Sequence, residues 1–267
     1  MTGHTTHLAK YCNDLEVLNI LEEIGEYLDG LDPDKFKVNK SRQNEPECFN
    51  VICDQYLSEF RKKIRPGPPW HQNIHDLLLN LNTRHRNRKI ARLATTLGKR
   101  ITGRKQALSA IYPPGGYLAW HHNADVPGRN LIFTWSKTGE GVFRYRNYTK
   151  GYFFDIPDHK GWNVKSFDWF SHGESEKEGY SWHCAGTSCM RATLAFVVHN
   201  NPMSDAMLEE DFNLTPWSPG CFISEEDMHH KSEWWDINKD NIINNSLDSE
   251  LIKELHNSPS GVKYGPR

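Results

Sequence analysis

Two histidines on different predicted strands could bind a metal ion between them. His121 lies in the segment YLAWHHNADV and His183 in the segment SWHCAGTSCM. Side chains alternate along a strand, so a strand read from Leu118 places His121, Asn123 and Asp125 on one face. A metal site built on sheets needs imidazoles that project inward from different strands, and His121 and His183 fit that requirement.

An arginine follows the second histidine. Arg191 lies eight residues after His183 and opens the apolar run ATLAFVV, whose alternate residues are expected to face the core. A buried guanidinium is costly unless it meets an anion, and its fork geometry suits a carboxylate. Thr193 lies two residues further on the same face and offers a hydroxyl to that anion. The pattern therefore predicts an anion-binding position beside Arg191.

The elements before these residues are predicted to be helical. Apolar residues recur at helical spacing in LEVLNILEEIGEYL, with Asn13 or Asp14 as the candidate N-cap. Cys48–Ile64 repeats the pattern and ends before Pro66, and Asn73–Leu81 is predicted as a third helix.

A basic stretch ends this helical region. Residues 84–105 hold nine Lys or Arg and no Asp or Glu. The stretch is either a phosphate-binding face or a solvated helix face paired with the acidic C-terminal region, and we favour the second reading. The net charge of −2 excludes a strongly basic nucleic-acid binder on global charge alone.

In residues 107–201 the sequence pattern changes to the two-residue period of a β-strand. Turn signals separate eight candidate strands, which are Ala107–Tyr112, Tyr117–His121, Asn130–Trp135, Gly141–Arg146, Lys150–Asp155, Asn163–Phe167, Gly179–His183 and Arg191–His199. So many short strands predict a jelly roll or small barrel. Residues 202–267 are acidic and read as irregular structure with short helices, one near Asp205–Phe212.

Amino-acid composition narrows the class of protein further. The chain has 267 residues, 37% hydrophobic and 12% aromatic, which excludes a disordered chain. It has no apolar run long enough for a membrane helix, and MTGHTTHLAK lacks the apolar core of a signal peptide. Six scattered cysteines without a CxxC pair predict free thiols. We expect a cytoplasmic protein.

The segment around these residues resembles a known enzyme family. Tyr112 and Gly115 precede His121, KTGEGVFRY looks like the family's turn after the central strand, and His183 and Arg191 then follow in order. Residues 107–200 thus resemble the iron(II)/2-oxoglutarate-dependent oxygenases, specifically the prolyl-hydroxylase-like branch, and are also similar to uncharacterised oxygenase-like proteins of bacterial viruses. The resemblance implies an α+β chain with a double-stranded β-helix (jelly-roll) core at 107–201, a helical N-terminal extension at 1–106 and an acidic C-terminal extension at 202–267, together one structural unit.

The resemblance also implies a cofactor set. His121 and His183 would bind Fe(II), while Arg191, Thr193 and Tyr112 would bind 2-oxoglutarate, and O₂ would complete the reaction. The expected activity is a dioxygenase that hydroxylates an unknown substrate and forms succinate and CO₂. A small molecule or polypeptide is a more natural substrate than nucleic acid.

One position departs from the family pattern. Asn123 stands where the family has a metal-binding carboxylate. Three ligand arrangements remain open: Asn123 itself, Asp125, or an anion in a vacant position as in the related halogenases. Strand geometry favours Asn123 over Asp125. A site too weak to bind iron is a fourth outcome, and the chain would then be a catalytically degenerate jelly-roll binding protein that uses residues 84–105.

Overall fold

The structure is a computed structural model that describes residues 3–32, 51–63, 76–77, 79–80, 88–103, 105–121, 128–146, 153–169, 182–218 and 221–227. Within these ranges the helices are α1 (Leu15–Asp29), α2 (Asp54–Lys63), α3 (Arg88–Arg100) and α4 (Pro202–Glu210), with a short 3-10 turn at Leu8–Lys10. The predicted first helix is confirmed, and Asp14 is its N-cap, since its side chain accepts hydrogen bonds from the backbone N–H groups of Glu16 and Val17.

The strands in the described ranges are β1 (Asp76–Leu77), β2 (Leu79–Asn80), β3 (Lys105–Tyr112), β4 (Tyr117–His121), β5 (Gly128–Ser136), β6 (Gly141–Arg146), β7 (Phe153–Pro157), β8 (Gly161–Trp169), β9 (His183–Thr187), β10 (Arg191–Val198), β11 (Thr215–Ser218) and β12 (Cys221–Ile223). Seven of the predicted strands overlap β3 to β8 and β10, and β4 and β6 keep the predicted bounds. The strand predicted at Gly179–His183 shares only His183 with β9, and residues 179–181 lie outside the described residues.

The helix predicted at Asn73–Leu81 is wrong. Asp76–Leu77 pairs with β4, and Leu79–Asn80 pairs with β3. The short run of leucines fits the period of a helix or that of a strand. Here the backbone forms its hydrogen bonds with the edges of two sheets rather than within a helical turn.

The strands form two antiparallel sheets. The smaller sheet has the order β1-β4-β9-β6-β7, and the larger has the order β11-β12-β8-β5-β10-β3-β2. A hydrophobic cluster between them takes Ile132 and Ala195 from the larger sheet and Phe143 and Ala185 from the smaller. The two sheets therefore pack face to face, and the inner face of each is the place for a buried site.

Helices cover the outer faces of both sheets. Residues of α1 and α3, including Leu21 and Leu97, pack with Leu194 of β10. Residues 51–57 pack with Trp120 on the outer face of the smaller sheet. Because both faces of each sheet are covered, a charged strand residue can be buried on either side. No helix in the described part of the chain is long and apolar enough to span a membrane.

Candidate functional site

His121 and His183 occupy opposed positions in neighbouring strands. The register pairs His121 of β4 with His183 of β9, and the ring centroids are 4.1 Å apart at an angle of 56°. His183 is 4% exposed and stacks on Phe143, whose ring lies in the cluster between the sheets. Both imidazoles therefore face the interior, as the sequence predicts.

A β-bulge turns His121 inward. The pairing of β4 with β9 shifts between Leu118 and His121, so Ala119 and Trp120 both pack on the outer face. Strict alternation would place Leu118 and His121 on opposite faces, whereas the bulge lets both point between the sheets. Bulges next to active sites commonly re-aim a side chain in this way.

The backbone fixes the tautomer of His121. Its Nδ1 lies 2.9 Å from the carbonyl oxygen of Ala119, which can only accept a hydrogen bond. Nδ1 therefore carries the proton, and Nε2 carries the lone pair that a metal ion needs. The candidate third ligands, Asn123 and Asp125, lie outside the described residues.

Arg191 is buried against a carboxylate of the chain itself. Its Nε donates to Oδ2 of Asp158 over 2.7 Å, and its Nη1 donates to the hydroxyl of Thr193 over 2.9 Å. Its guanidinium also lies 4.9 Å from the ring centroid of Tyr112, the residue that pairs with it across β3 and β10. The three residues predicted to bind a cosubstrate are thus brought together, and Asp158, which no sequence pattern indicates, joins them.

A second buried cation shares Asp158. Lys165 of β8 is 1% exposed, and its Nζ lies 3.7 Å from Oδ1 of Asp158. This Nζ makes no hydrogen bond with the residues that the structure describes. Two cations thus contact one carboxylate, and the position has unused hydrogen-bonding capacity for a further anion.

The charges of this cluster are shifted by burial. Burial lowers the pKa of Lys165, Asp158 opposes that change, and Arg191 adds to it. Burial also works against the charge of Arg191, but Asp158 together with Tyr112 and Cys189 raises the pKa of Arg191. Arg191 therefore keeps its charge, whereas Lys165 can lose its proton. Both lie next to the carboxylate of Asp158.

Phe143 connects the two halves of the site. Its ring centroid lies 5.7 Å from that of His183 and 5.4 Å from Nζ of Lys165. The histidine pair and the cationic cluster therefore line the same space between the sheets. An elongated ligand could contact a metal at the histidines with one end and Lys165 with the other.

Gly141 leaves the room that the ion pair needs. A Cβ at this position would lie 2.3 Å from Oδ2 of Asp158 and 3.3 Å from Cδ of Arg191. No side chain fits there without moving the carboxylate. The sequence contains this glycine in the KTGEG turn but gives no sign of its neighbour.

The basic stretch is partly paired with α1. In α3, Lys89 forms an ion pair with Glu23, and Nε of Arg100 lies 2.6 Å from Oδ2 of Asp14. The expected partner was the acidic C-terminal region, but these two cations meet acids of the N-terminal helix instead. Residues 228–267 lie outside the described part of the chain.

The two ends of the site differ in how well they fit the implied cofactors. Two inward imidazoles at 4.1 Å suit a metal such as iron, with the third ligand still to be supplied. The unused Nζ of Lys165 suits a carboxylate such as the distal end of 2-oxoglutarate. Arg191 alone does not, since Asp158 already holds it.

Comparisons with known proteins give little further support. No family model and no curated protein matches the chain. Among solved structures, a prolyl-4-hydroxylase from Pseudomonas putida is similar, with 14% identity over 48% of this chain and 71% of its own, at a TM-score of 0.27.

Proposed function

We propose that this protein is an Fe(II)- and 2-oxoglutarate-dependent oxygenase that oxidises, most simply by hydroxylation, a small molecule or polypeptide. The observation that carries the proposal is the inward-facing pair of His121 and His183, with ring centroids 4.1 Å apart. Two imidazoles on one face, with room for further ligands, are what non-haem iron enzymes use.

The strand order supports a jelly-roll core. From β3 to β10 the chain passes from one sheet to the other at each connection except the β6–β7 hairpin. Eight antiparallel strands wound in this way are compatible with a jelly roll. The histidines lie in the smaller sheet and the cations in the larger, so the proposed site spans the interior of that core.

Each residue of the site has a distinct task. His121 and His183 would hold iron, with Asn123, Asp125 or an external anion as the third ligand. Bound iron would supply the oxidative chemistry, in which 2-oxoglutarate and O₂ yield succinate and CO₂. Lys165 would neutralise the distal carboxylate of the cosubstrate, and Arg191, Thr193 and Tyr112 would position it.

Two readouts test the proposal. Purified protein is supplied with Fe(II) and 2-oxoglutarate, and succinate is measured; in parallel, 2-oxoglutarate-dependent binding of Mn²⁺, a redox-silent substitute, is measured by titration. We expect His183→Ala to lose both. His199→Ala changes an exposed histidine just after β10 and should retain both. Equally tight Mn²⁺ binding by wild type and His183→Ala would contradict the proposal.

The third ligand separates hydroxylation from halogenation. If Asn123 coordinates directly, activity is independent of chloride, and Asn123→Asp retains hydroxylation. A chloride-dependent product that Asn123→Asp replaces with a hydroxylated one would assign the halogenase variant instead.

A further inference from the structure

A second group of metal-binding side chains lies where three distant segments of the chain meet. His7 precedes the first 3-10 turn, His159 lies between β7 and β8, and Glu226 follows β12. One nitrogen or oxygen atom from each lies within 4.8 Å of the others. None of the three takes part in the His121–His183 site.

The two imidazoles of this group stack on each other. Their ring centroids are 3.8 Å apart and the planes differ by 19°. His7 is 7% exposed, and its Nε2 makes no hydrogen bond with the described residues. Its Nδ1 lies 4.0 Å from Oε2 of Glu226, which is longer than a hydrogen bond. A buried polar atom left in this state is costly, and a metal ion would satisfy the group.

A neighbouring carboxylate orients His159. Its Nε2 lies 3.4 Å from Oδ1 of Asp227, and the hydroxyl of Ser224 donates to Oδ2 of that carboxylate over 2.8 Å. Zinc-binding histidines commonly donate their other ring N–H to a carboxylate in this manner. Asp227 would then hold the His159 ring in a fixed orientation within the group.

We propose that His7, His159 and Glu226 form a second, structural site for a divalent transition-metal ion such as Zn²⁺. Two imidazoles and one carboxylate suit zinc, with water as the fourth ligand. Ligand atoms around tetrahedral zinc lie about 3.4 Å apart. The ligand atoms of the three residues, which lie within 4.8 Å of one another, must therefore move closer together when zinc binds. The half-exposed side chain of Glu226 allows this.

The site would fasten the N-terminal segment to the β7–β8 turn. Residue 158 of that turn is the aspartate that pairs with Arg191. A metal ion at His159 would therefore also restrain the carboxylate that neutralises the proposed cosubstrate pocket. The proposal does not depend on iron binding elsewhere in the chain.

Zinc binding is measured by calorimetry in variants that separate the two sites. His121→Ala/His183→Ala should still bind one Zn²⁺ per chain and should gain thermal stability from it. Adding His159→Gln, which changes a partly exposed side chain, should weaken this binding by roughly tenfold or more. Absence of zinc binding in the double variant would overturn the proposal.

A second comparison avoids any folding defect of that double variant. In the wild-type background, Glu226→Gln should weaken one class of Zn²⁺ binding, whereas Glu225→Gln, its exposed neighbour, should not. Zinc binding unchanged by both Glu226→Gln and His159→Gln would show that other residues hold the ion, and would also overturn the proposal.

Discussion

Nε of Arg191 donates to Oδ2 of Asp158 over 2.7 Å, inside the core and out of contact with solvent. The guanidinium that the sequence assigns to a cosubstrate is thus already paired with a carboxylate of the chain. Any dicarboxylate that enters must share Arg191 with Asp158 or rely on Lys165. We therefore expect Asp158 to influence the affinity of the proposed site for an anionic ligand.

Asp158→Asn should destabilise the protein and at the same time make it more responsive to dicarboxylates. Loss of one partner from a buried ion pair costs about 3–5 kcal/mol, because Arg191 and Lys165 are left without their shared carboxylate. Succinate, a dicarboxylate, should then raise the melting temperature of the variant more than that of wild type. Thermal denaturation with and without succinate measures both effects.

Asp155→Asn is the matched control for this experiment. Asp155 is 2% exposed and accepts a 2.7 Å hydrogen bond from Nε of Arg144. Arg144 also contacts Trp120 on the outer face of the smaller sheet, away from the proposed pocket. This variant should lose stability without a succinate-dependent gain. An equal gain in both variants would mean that succinate acts outside the pocket.

Gly141→Ala should disrupt the same ion pair by steric contact. The added Cβ would approach Oδ2 of Asp158 to 2.3 Å, so the carboxylate must move away from Arg191. We expect reduced stability in urea denaturation and altered 2-oxoglutarate affinity. Gly30→Ala is the control, since its Cβ would meet only ordinary contacts at 3.6 and 3.7 Å. Gly141→Ala with wild-type stability would contradict this account.

The affinity for 2-oxoglutarate should fall as pH rises. In the ligand-free protein, burial lowers the pKa of Lys165. A bound carboxylate would raise this pKa again, because it favours the charged ammonium form. Binding therefore takes up a proton at any pH between the two pKa values, and the dissociation constant there rises by up to about tenfold per pH unit. Calorimetry in the presence of Mn²⁺ over a pH series measures it.

The groups around Lys165 define the controls for this pH series. Arg191 and Asp158 face its amine directly, and Asp227 adds a more distant negative charge. Lys165→Met should bind more weakly and with a flatter pH profile. Lys160→Met alters an exposed lysine in the preceding turn and should keep the wild-type slope. A wild-type slope in Lys165→Met would assign the titration to another group.

Asp14 should stabilise α1 mainly as its N-cap. Asp14→Ala removes the acceptor for two backbone N–H groups and should lower the free energy of unfolding by about 1 kcal/mol. Asp14→Asn keeps the cap and loses only the charge that faces Arg100, so its cost should be smaller. Urea denaturation of the two variants separates the contributions, and equal costs would assign the effect to the ion pair.

Local sequence patterns predict most of the strands and identify both histidines, but they do not show the bulge that turns His121 inward. Alternation of apolar and polar residues depends only on neighbouring positions, so β4 and β6 are recovered with their bounds. The leucines of Asn73–Leu81 show the limit of this reasoning. A run that short has no distinct period, and pairing with strands far along the chain decides its structure.

The charge cluster could not be predicted because its members are far apart in sequence. Asp158 lies in a turn, where an acidic residue is usually exposed, and Lys165 alternates with buried residues as a solvent-facing lysine would. Only the covering of both sheet faces turns Lys165 into a buried residue. The available signal is a lysine in the middle of a strand, next to Val164 and two residues before Phe167.

Because of the bulge in β4, a deletion and an insertion in this strand should affect the position of His121 differently. Ala119 and Trp120 together stand opposite one residue of β9, so this strand carries one residue more than regular pairing requires. A chain that lacks Ala119 could pair regularly and still bring His121 opposite His183. A chain with one residue added at this point would have no such regular pairing available, so the site can accept a deletion here more readily than an insertion.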